Sequence, residues 1–231
     1  MKKLFFSVCM LCAALSMNAQ MQTSTPSNTS LLVEANGSPH KAKPRANVDG
    51  TPYYNDDYCS ATLYGADGKP YAAIPARLNL QENLVIFKRG DAELTPSFMV
   101  KKIEFGQCDG KKSNAVFESG FPAIGVQNEG SFYQVLDDGK TKFLKYIQIV
   151  ETATQNNGLN PSAATLTLQR NETFYVYSPA KGMVKVGKSA DDLLNALADR
   201  RDQVASYISS NKFKLKKEDE MVKVINFYNT L

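Results

Sequence analysis

Ser131-Phe-Tyr-Gln-Val-Leu136, Asp137-Asp-Gly-Lys140 and Thr141-Lys-Phe-Leu-Lys-Tyr-Ile-Gln-Ile-Val150 decide how this chain folds. β-Branched and aromatic residues crowd the two outer stretches, and Asp138-Gly139 lies between them. An Asp-Gly pair accepts the positive φ angles of a type I′ turn, whose twist matches that of the strands it joins. The segment therefore predicts a hairpin at the centre of an antiparallel sheet.

Upstream of it the same signals repeat. Cys59–Tyr64 and Tyr71–Leu80 read as strands joined by Ala66-Asp-Gly-Lys69, a second Asp-Gly turn. Pro75 inside the second run asks for an edge position or a bulge, because proline cannot donate to a ladder. Leu84–Arg89 follows the polar turn Gln81-Glu-Asn83, and Phe98–Phe105 follows that, with Met99, Ile103 and Phe105 on one face. From Gly106 to Gly130 the chain is glycine-rich and irregular, with a short strand at Ala115–Glu118. Downstream, a polar loop at 152–163 carries Asn156-Asn-Gly158 and Asn160-Pro161. Thr165–Gln169 and Thr173–Tyr177 then read as a pair turned at Arg170-Asn-Glu172, and Met183–Val186 as a last strand. About nine strands at spacings of about 8 to 12 residues predict a sandwich, a barrel or a curved meander.

The period changes from two to about 3.6 over 188–231. Ser189 with Asp192 forms a capping arrangement, and Leu193, Leu197, Val204 and Ile208 fall on one face. A second helix starts at Glu218-Asp-Glu220, whose charges suit the positive helix end, and carries Met221, Val224, Ile225, Tyr228 and Leu231 as its apolar stripe. The fold class expected is α+β: a mainly antiparallel sheet with a C-terminal helical hairpin, in one domain over 51–231.

The first nineteen residues read as a secretory signal, with Lys2 and Lys3, an apolar stretch Leu4–Leu15 and the small-residue end Ser16-Met-Asn-Ala19. About twelve apolar residues fall short of the roughly 20 that span a bilayer. Residues 20–50 are rich in Thr, Ser, Asn, Pro and Lys around the island Leu31-Leu-Val33, a composition that cannot bury enough surface to offset its ordering entropy. They read as a tether. Export makes Cys59 and Cys108, which follow Cys9 and Cys12, a disulfide candidate, against the alternative of two separate thiols.

Charge and motif content exclude several functions. The sequence has 27 Lys and Arg against 23 Asp and Glu, and loss of Lys2 and Lys3 brings the balance to +2. Nucleic-acid binding wants a clustered basic face. The one local excess, Lys212, Lys214, Lys216 and Lys217, is followed at once by Glu218-Asp-Glu220 and reads as a solvated connection. The single histidine, His40, lies in the tether, where nothing would hold it for acid–base work or metal ligation. Neither a dinucleotide fingerprint nor a phosphate loop is present, so no cofactor is expected.

Two features remain for a site. Five of the eleven tyrosines, Tyr53, Tyr54, Tyr58, Tyr64 and Tyr71, fall close together. A phenol has a broad apolar face and one polar tip, suited to stacking on sugar rings or peptide bonds, and also to filling half-buried strand faces. Among the acid pairs, Asp137-Asp138 is explained by its turn and Asp191-Asp192 by its helix start, which leaves Asp56 and Asp57. Tyr53, Tyr54, Asp56, Asp57 and Tyr58 are therefore the candidate ligand-binding residues. Three readings compete: a non-enzymatic envelope module that binds or scaffolds a protein, peptide or glycan, a hydrolase pairing these acids with a facing strand, and a structural partner for another envelope protein.

Asn18-Ala-Gln20, Gly50-Thr-Pro-Tyr-Tyr-Asn-Asp-Asp57, Leu193-Leu-Asn-Ala-Leu197 and Asn226-Phe-Tyr-Asn229 resemble stretches of exported β-rich proteins of Bacteroidota. The resemblance implies a cell-envelope or extracellular location, and it brings no catalytic residue with it.

Overall fold

A computed structural model describes residues 37–40, 48–108, 111–154 and 165–231. The predicted signal, Leu31–Val33 and the Asn156-Asn-Gly158 turn lie outside these residues. In chain order the described strands are β1 Ser38–Pro39, β2 Val48–Asp49, β3 Cys59–Gly65, β4 Pro70–Asn79, β5 Leu84–Arg89, β6 Ala92–Thr95, β7 Val100–Phe105, β8 Gln107–Cys108, β9 Lys111–Lys112, β10 Val116–Glu118, β11 Tyr133–Asp138, β12 Lys142–Thr154, β13 Thr165–Ser178 and β14 Gly182–Val186. Three helices follow, α1 Ala190–Ala196, α2 Arg201–Ser210 and α3 Glu218–Asn229, with a 3-10 turn at Ala198–Arg200. Twelve strands join one sheet in the order β1-β6-β5-β4-β3-β7-β10-β11-β12-β13-β14, with β2 added parallel to β13 and every other pairing antiparallel. Two meanders, β3 to β6 and β7 to β14, meet where β3 pairs β7.

Alternation explains the core. Along β3, Cys59, Ala61 and Leu63 are buried while Ser60 is exposed, and Ile74, Ala76 and Leu78 do the same on β4. These side chains pack with Ile103, Phe105 and Phe117, and the sheet curls until Ile147 and Ile149 of β12 join them. Asn83, at φ +53 in the turn after β4, holds the curl: its carboxamide donates to Gly130 O at 2.7 Å and accepts from Phe132 N at 2.9 Å. The helices cover the far part of the same sheet face, where Phe143, Phe174 and Val176 meet Leu193, Val204 and Val224. Between the two cores, buried Lys145 reaches Glu218 at 2.8 Å.

On the opposite face, Phe121 closes over Tyr133, Leu144 and Tyr175. Tyr133 is 0% exposed and its hydroxyl finds no partner among the described residues. A buried, unpaired hydroxyl costs about 1–3 kcal/mol of desolvation that a matching apolar ring avoids. Tyr133→Phe is therefore expected to raise the unfolding free energy by about 1 kcal/mol in a urea titration; a lower midpoint would mean that the hydroxyl is hydrogen-bonded.

The structure corrects several sequence expectations. The 131–150 hairpin forms, but not on a type I′ turn: neither Asp138 nor Gly139 has a positive φ. The register shifts between Val135 and Asp137, and the connection is closed by Asn229 of α3 instead. Its carboxamide donates to Asp137 Oδ2 at 2.7 Å and to Thr141 O at 2.9 Å, and accepts from Thr141 N at 2.9 Å. Gly139 is needed because a Cβ there would overlap that carboxamide. The predicted turn at Arg170-Asn-Glu172 does not exist either. β13 runs straight through it, since Ile149, Gln148 and Ile147 of β12 supply partners for all three residues.

Smaller corrections follow from bulges and helix ends. Met99 is 65% exposed and Val100 takes its buried place, because the register slips between Tyr64 and Gly65 opposite Val100. Pro75 sits beside a bulge, as its chemistry requires, with Ala73 at φ +57. Ser189 caps α1 by accepting from Asp192 N at 3.2 Å, but the expected single first helix breaks at Leu197 into α1 and α2. Leu231 is exposed, outside the apolar stripe. Within the stretch read as a tether, Ser38–Pro39 pairs β6 and Val48–Asp49 pairs β13. No helix among the described residues is long and apolar enough to cross a membrane.

Candidate functional site

Residues 52–54 lie along the end of β4. Tyr54 N donates to Leu78 O at 2.9 Å and Leu80 N to Pro52 O at 2.8 Å, so consecutive side chains point to opposite sides. The Tyr54 ring enters the core, edge-on to Phe117 at 4.7 Å and stacked near Phe105 at 5.8 Å. Tyr53 points the other way, toward Arg77 of β4. The Arg77 guanidinium lies 3.8 Å from the Tyr53 ring centroid and 4.6 Å from that of Tyr58, and Lys88 Nζ lies 4.7 Å from the latter. Glu93 of β6 pins the guanidinium by accepting from it at 3.1 Å.

The sequence candidates thus divide. Tyr53 and Tyr58 come together around a cation, Tyr54 is a core residue, and Asp56 and Asp57 are exposed at the rim. The Asp56 carbonyl, rather than its carboxylate, faces Arg77, accepting at 3.5 Å. Burial raises the Tyr53 phenol above its ordinary range, against the opposing Arg77 charge. At Tyr58 burial again leads, and the Glu93 carboxylate adds to the rise. Both phenols are neutral at neutral pH and poorly suited to deliver or take a proton, and the Tyr58 hydroxyl is buried with no hydrogen-bond partner among the described residues, so that residue offers its ring alone.

Cys59 and Cys108 are joined, with Cα atoms 4.3 Å apart, so the disulfide expectation holds. The bridge fastens the 50s segment and β3 to β8. Asn55 seals it, its Nδ2 lying 3.3 Å from one sulfur and 3.5 Å from the other.

Sequence reasoning missed Arg77 and Glu93, and also the outer face of β3 and β7. There Ser60, Thr62, Glu104, Gly106, Ser113 and Asn114 line an open groove of about 360 Å³. Its one carboxylate, Glu104, accepts from Tyr64 at 2.8 Å and pairs with Lys102 at 2.7 Å. Burial pushes the Glu104 carboxyl up, but the hydrogen bonds from Lys102 and Tyr64 outweigh it and leave the group below its ordinary value. Glu104 is thus ionised and paired. The row continues through Lys102 to Glu118, and Lys142 bridges Glu118 and Asp138. Opposite charges alternate along it, so each acid is matched by an ammonium. Among the described residues no cluster of His, Cys, Asp and Glu is arranged to hold a metal ion.

No protein-family model, curated protein or solved structure matches this chain.

The buried phenols make a titration prediction. Burial raises Tyr53, Tyr58, Tyr133, Tyr146 and Tyr175, and the hydrogen bond to Glu104 raises Tyr64. Raised phenols add stability that is whole below the unfolded value of about 10 and is lost as pH climbs through the folded values. Absorbance at alkaline pH should show a tyrosine class that titrates above the ordinary value and appears together with unfolding. A single class titrating at the ordinary value would contradict the packing.

Proposed function

We propose that the chain is an exported, non-enzymatic binding or scaffolding module of the cell envelope, and that Tyr53, Tyr58 and Arg77 form its contact surface for a peptide or glycan. The Tyr53–Arg77–Tyr58 stack carries this reading. Two half-buried phenols are held at fixed spacing by a guanidinium that is itself pinned by Glu93, so a ligand meets aromatic faces without having to order them. Asp56, Asp57 and Lys88 surround the stack with exposed charge. Such a rim of polar groups about rigid rings favours stacking with directional hydrogen bonds. The disulfide supports the export part of the proposal, since such bonds persist in oxidising compartments.

A pull-down from envelope extract tests it. The wild-type chain should retain a peptide or glycan component that Tyr53→Ala/Tyr58→Ala loses while still unfolding in one cooperative transition. Retention of nothing by the wild-type chain, or equal retention by the double variant, would sink the proposal.

A further inference from the structure

The lysine tract between α2 and α3 reads in sequence as a solvated connection balanced by the acids that follow it. The fold uses those acids elsewhere. Glu218 takes Lys145 at 2.8 Å, and Glu220 accepts the backbone N–H groups of Lys214 at 3.1 Å and Leu215 at 2.7 Å. Asp219 approaches Lys223, at 3.9 Å. The loop is also fixed in shape. Leu215, at φ +54, is fully buried, and Lys212 is left-handed at φ +56. With Leu215 anchored inward, Lys212, Lys214, Lys216 and Lys217 are all exposed. Lys216 Nζ donates to the Lys188 carbonyl at 3.3 Å, while the Lys188 ammonium itself lies over the Phe174 ring at 5.1 Å.

An aromatic strip adjoins these charges. Tyr207 of α2 stacks flat on Phe227 of α3 at 4.1 Å, and Phe213 of the loop meets Tyr207 edge-on at 5.9 Å. Lys223 Nζ lies 5.8 Å from the Phe213 ring. All three rings are half-buried, although the inward stripes of these helices, Val204 and Ile208 on α2 with Met221, Val224 and Ile225 on α3, already fill the core. Tyr207 and Phe213 pack on the edge of that core, and with Phe227 they carry its apolar surface out between α2 and α3. Lys223 lies against it, Lys212, Lys214, Lys216 and Lys217 are exposed on the loop that carries Phe213, and Glu218, Asp219 and Glu220 follow at the start of α3.

Half-exposed rings flanked by lysines match the boundary between headgroups and acyl chains. Aromatic rings settle at that depth, while lysine stems cover apolar surface and their ammonium groups reach phosphates. We propose that this outer face of α2, the 211–217 loop and α3 docks the protein on an anionic phospholipid surface. The proposal stands apart from the peptide or glycan reading of Tyr53 and Tyr58 and survives its failure.

The chain has no tryptophan, so Phe213→Trp in the full chain gives a single reporter at the strip. Mixed with vesicles of equal parts phosphatidylglycerol and phosphatidylethanolamine, it should show a saturable blue shift that phosphatidylcholine vesicles do not produce. Adding Lys212→Gln, Lys214→Gln and Lys217→Gln should weaken binding by roughly fivefold per lysine, about 100-fold together. Phe227→Trp provides a second reporter should the first variant fail to fold. Binding without a blue shift in either reporter, equal binding to phosphatidylcholine, affinity unmoved by the lysine changes, or displacement from vesicles onto dextran sulfate with no preference for lipid would each overturn the proposal.

Discussion

Cys59→Ala/Cys108→Ala is expected to lower the unfolding free energy by about 4 kcal/mol, the chain-entropy value for releasing a loop of about 50 residues. For a domain of this size that corresponds to a fall in Tm on the order of 10 °C. The effect should be concentrated around the bridge. Cys59 is 0% exposed within the β3–β7 core, and its partner anchors the β8–β9 hairpin, so losing the bond frees both that hairpin and the Asn55 contact. Thermal unfolding with and without reductant measures it directly. Non-reducing mass spectrometry provides the control: neither thiol should alkylate until reductant is added. Alkylation of both without reductant would remove the bond from the account.

Phe117→Ala should cost about 3–5 kcal/mol, the range for deleting a buried ring. Phe117 is 1% exposed and touches both Tyr54 and Phe105, so it links the 50s segment to the sheet interior. Truncation leaves a cavity beneath Tyr54, which is one residue from Tyr53. Urea unfolding should show a lower midpoint with little change in slope. A loss below about 1 kcal/mol would mean that the interior collapses to fill the space, and that Tyr54 is not held by it.

The parts of the fold legible in sequence are those governed by local periodicity. Turn signals flanking strand-forming runs placed β3, β5 and the 131–150 hairpin, and Ser189 placed the start of α1 through its contact with Asp192. Errors arose where a local signal had a tertiary competitor. Arg170-Asn-Glu172 looks like a turn because it is polar, yet its polarity reflects exposure on a long strand that β12 pairs throughout, and Arg170 itself lies 5.3 Å from the Tyr54 ring. Asp138-Gly139 looks like a type I′ turn, yet Asn229, 92 residues beyond Asp137, shapes the connection.

The site was half legible for the same reason. Composition singled out Tyr53 and Tyr58, but their spacing carried no hint that Arg77, on the strand that 52–54 clamps, would stand between them. Glu93 is a further 16 residues on from Arg77 and reaches it only because β5 and β6 fold back beside β4. Asp56 and Asp57 drew attention as acids without a structural reason; they remain exposed. Lys145 shows the reverse case. A cation in the alternating run Phe143-Leu-Lys-Tyr-Ile147 marks the seam between two cores, where Glu218, 73 residues away, meets it.

The central claim is that Tyr53 and Tyr58, held on Arg77, form a recognition surface that does no chemistry on what it binds. Ring resonances of the chain labelled only in tyrosine, followed while envelope peptide and glycan fractions are added, test it most directly. The account predicts that the Tyr53 and Tyr58 rings shift, that the buried Tyr133 and Tyr175 rings stay in place, and that the added fraction is recovered intact. Unmoved Tyr53 and Tyr58 rings in the presence of bound material, or a fraction recovered cleaved, would contradict it.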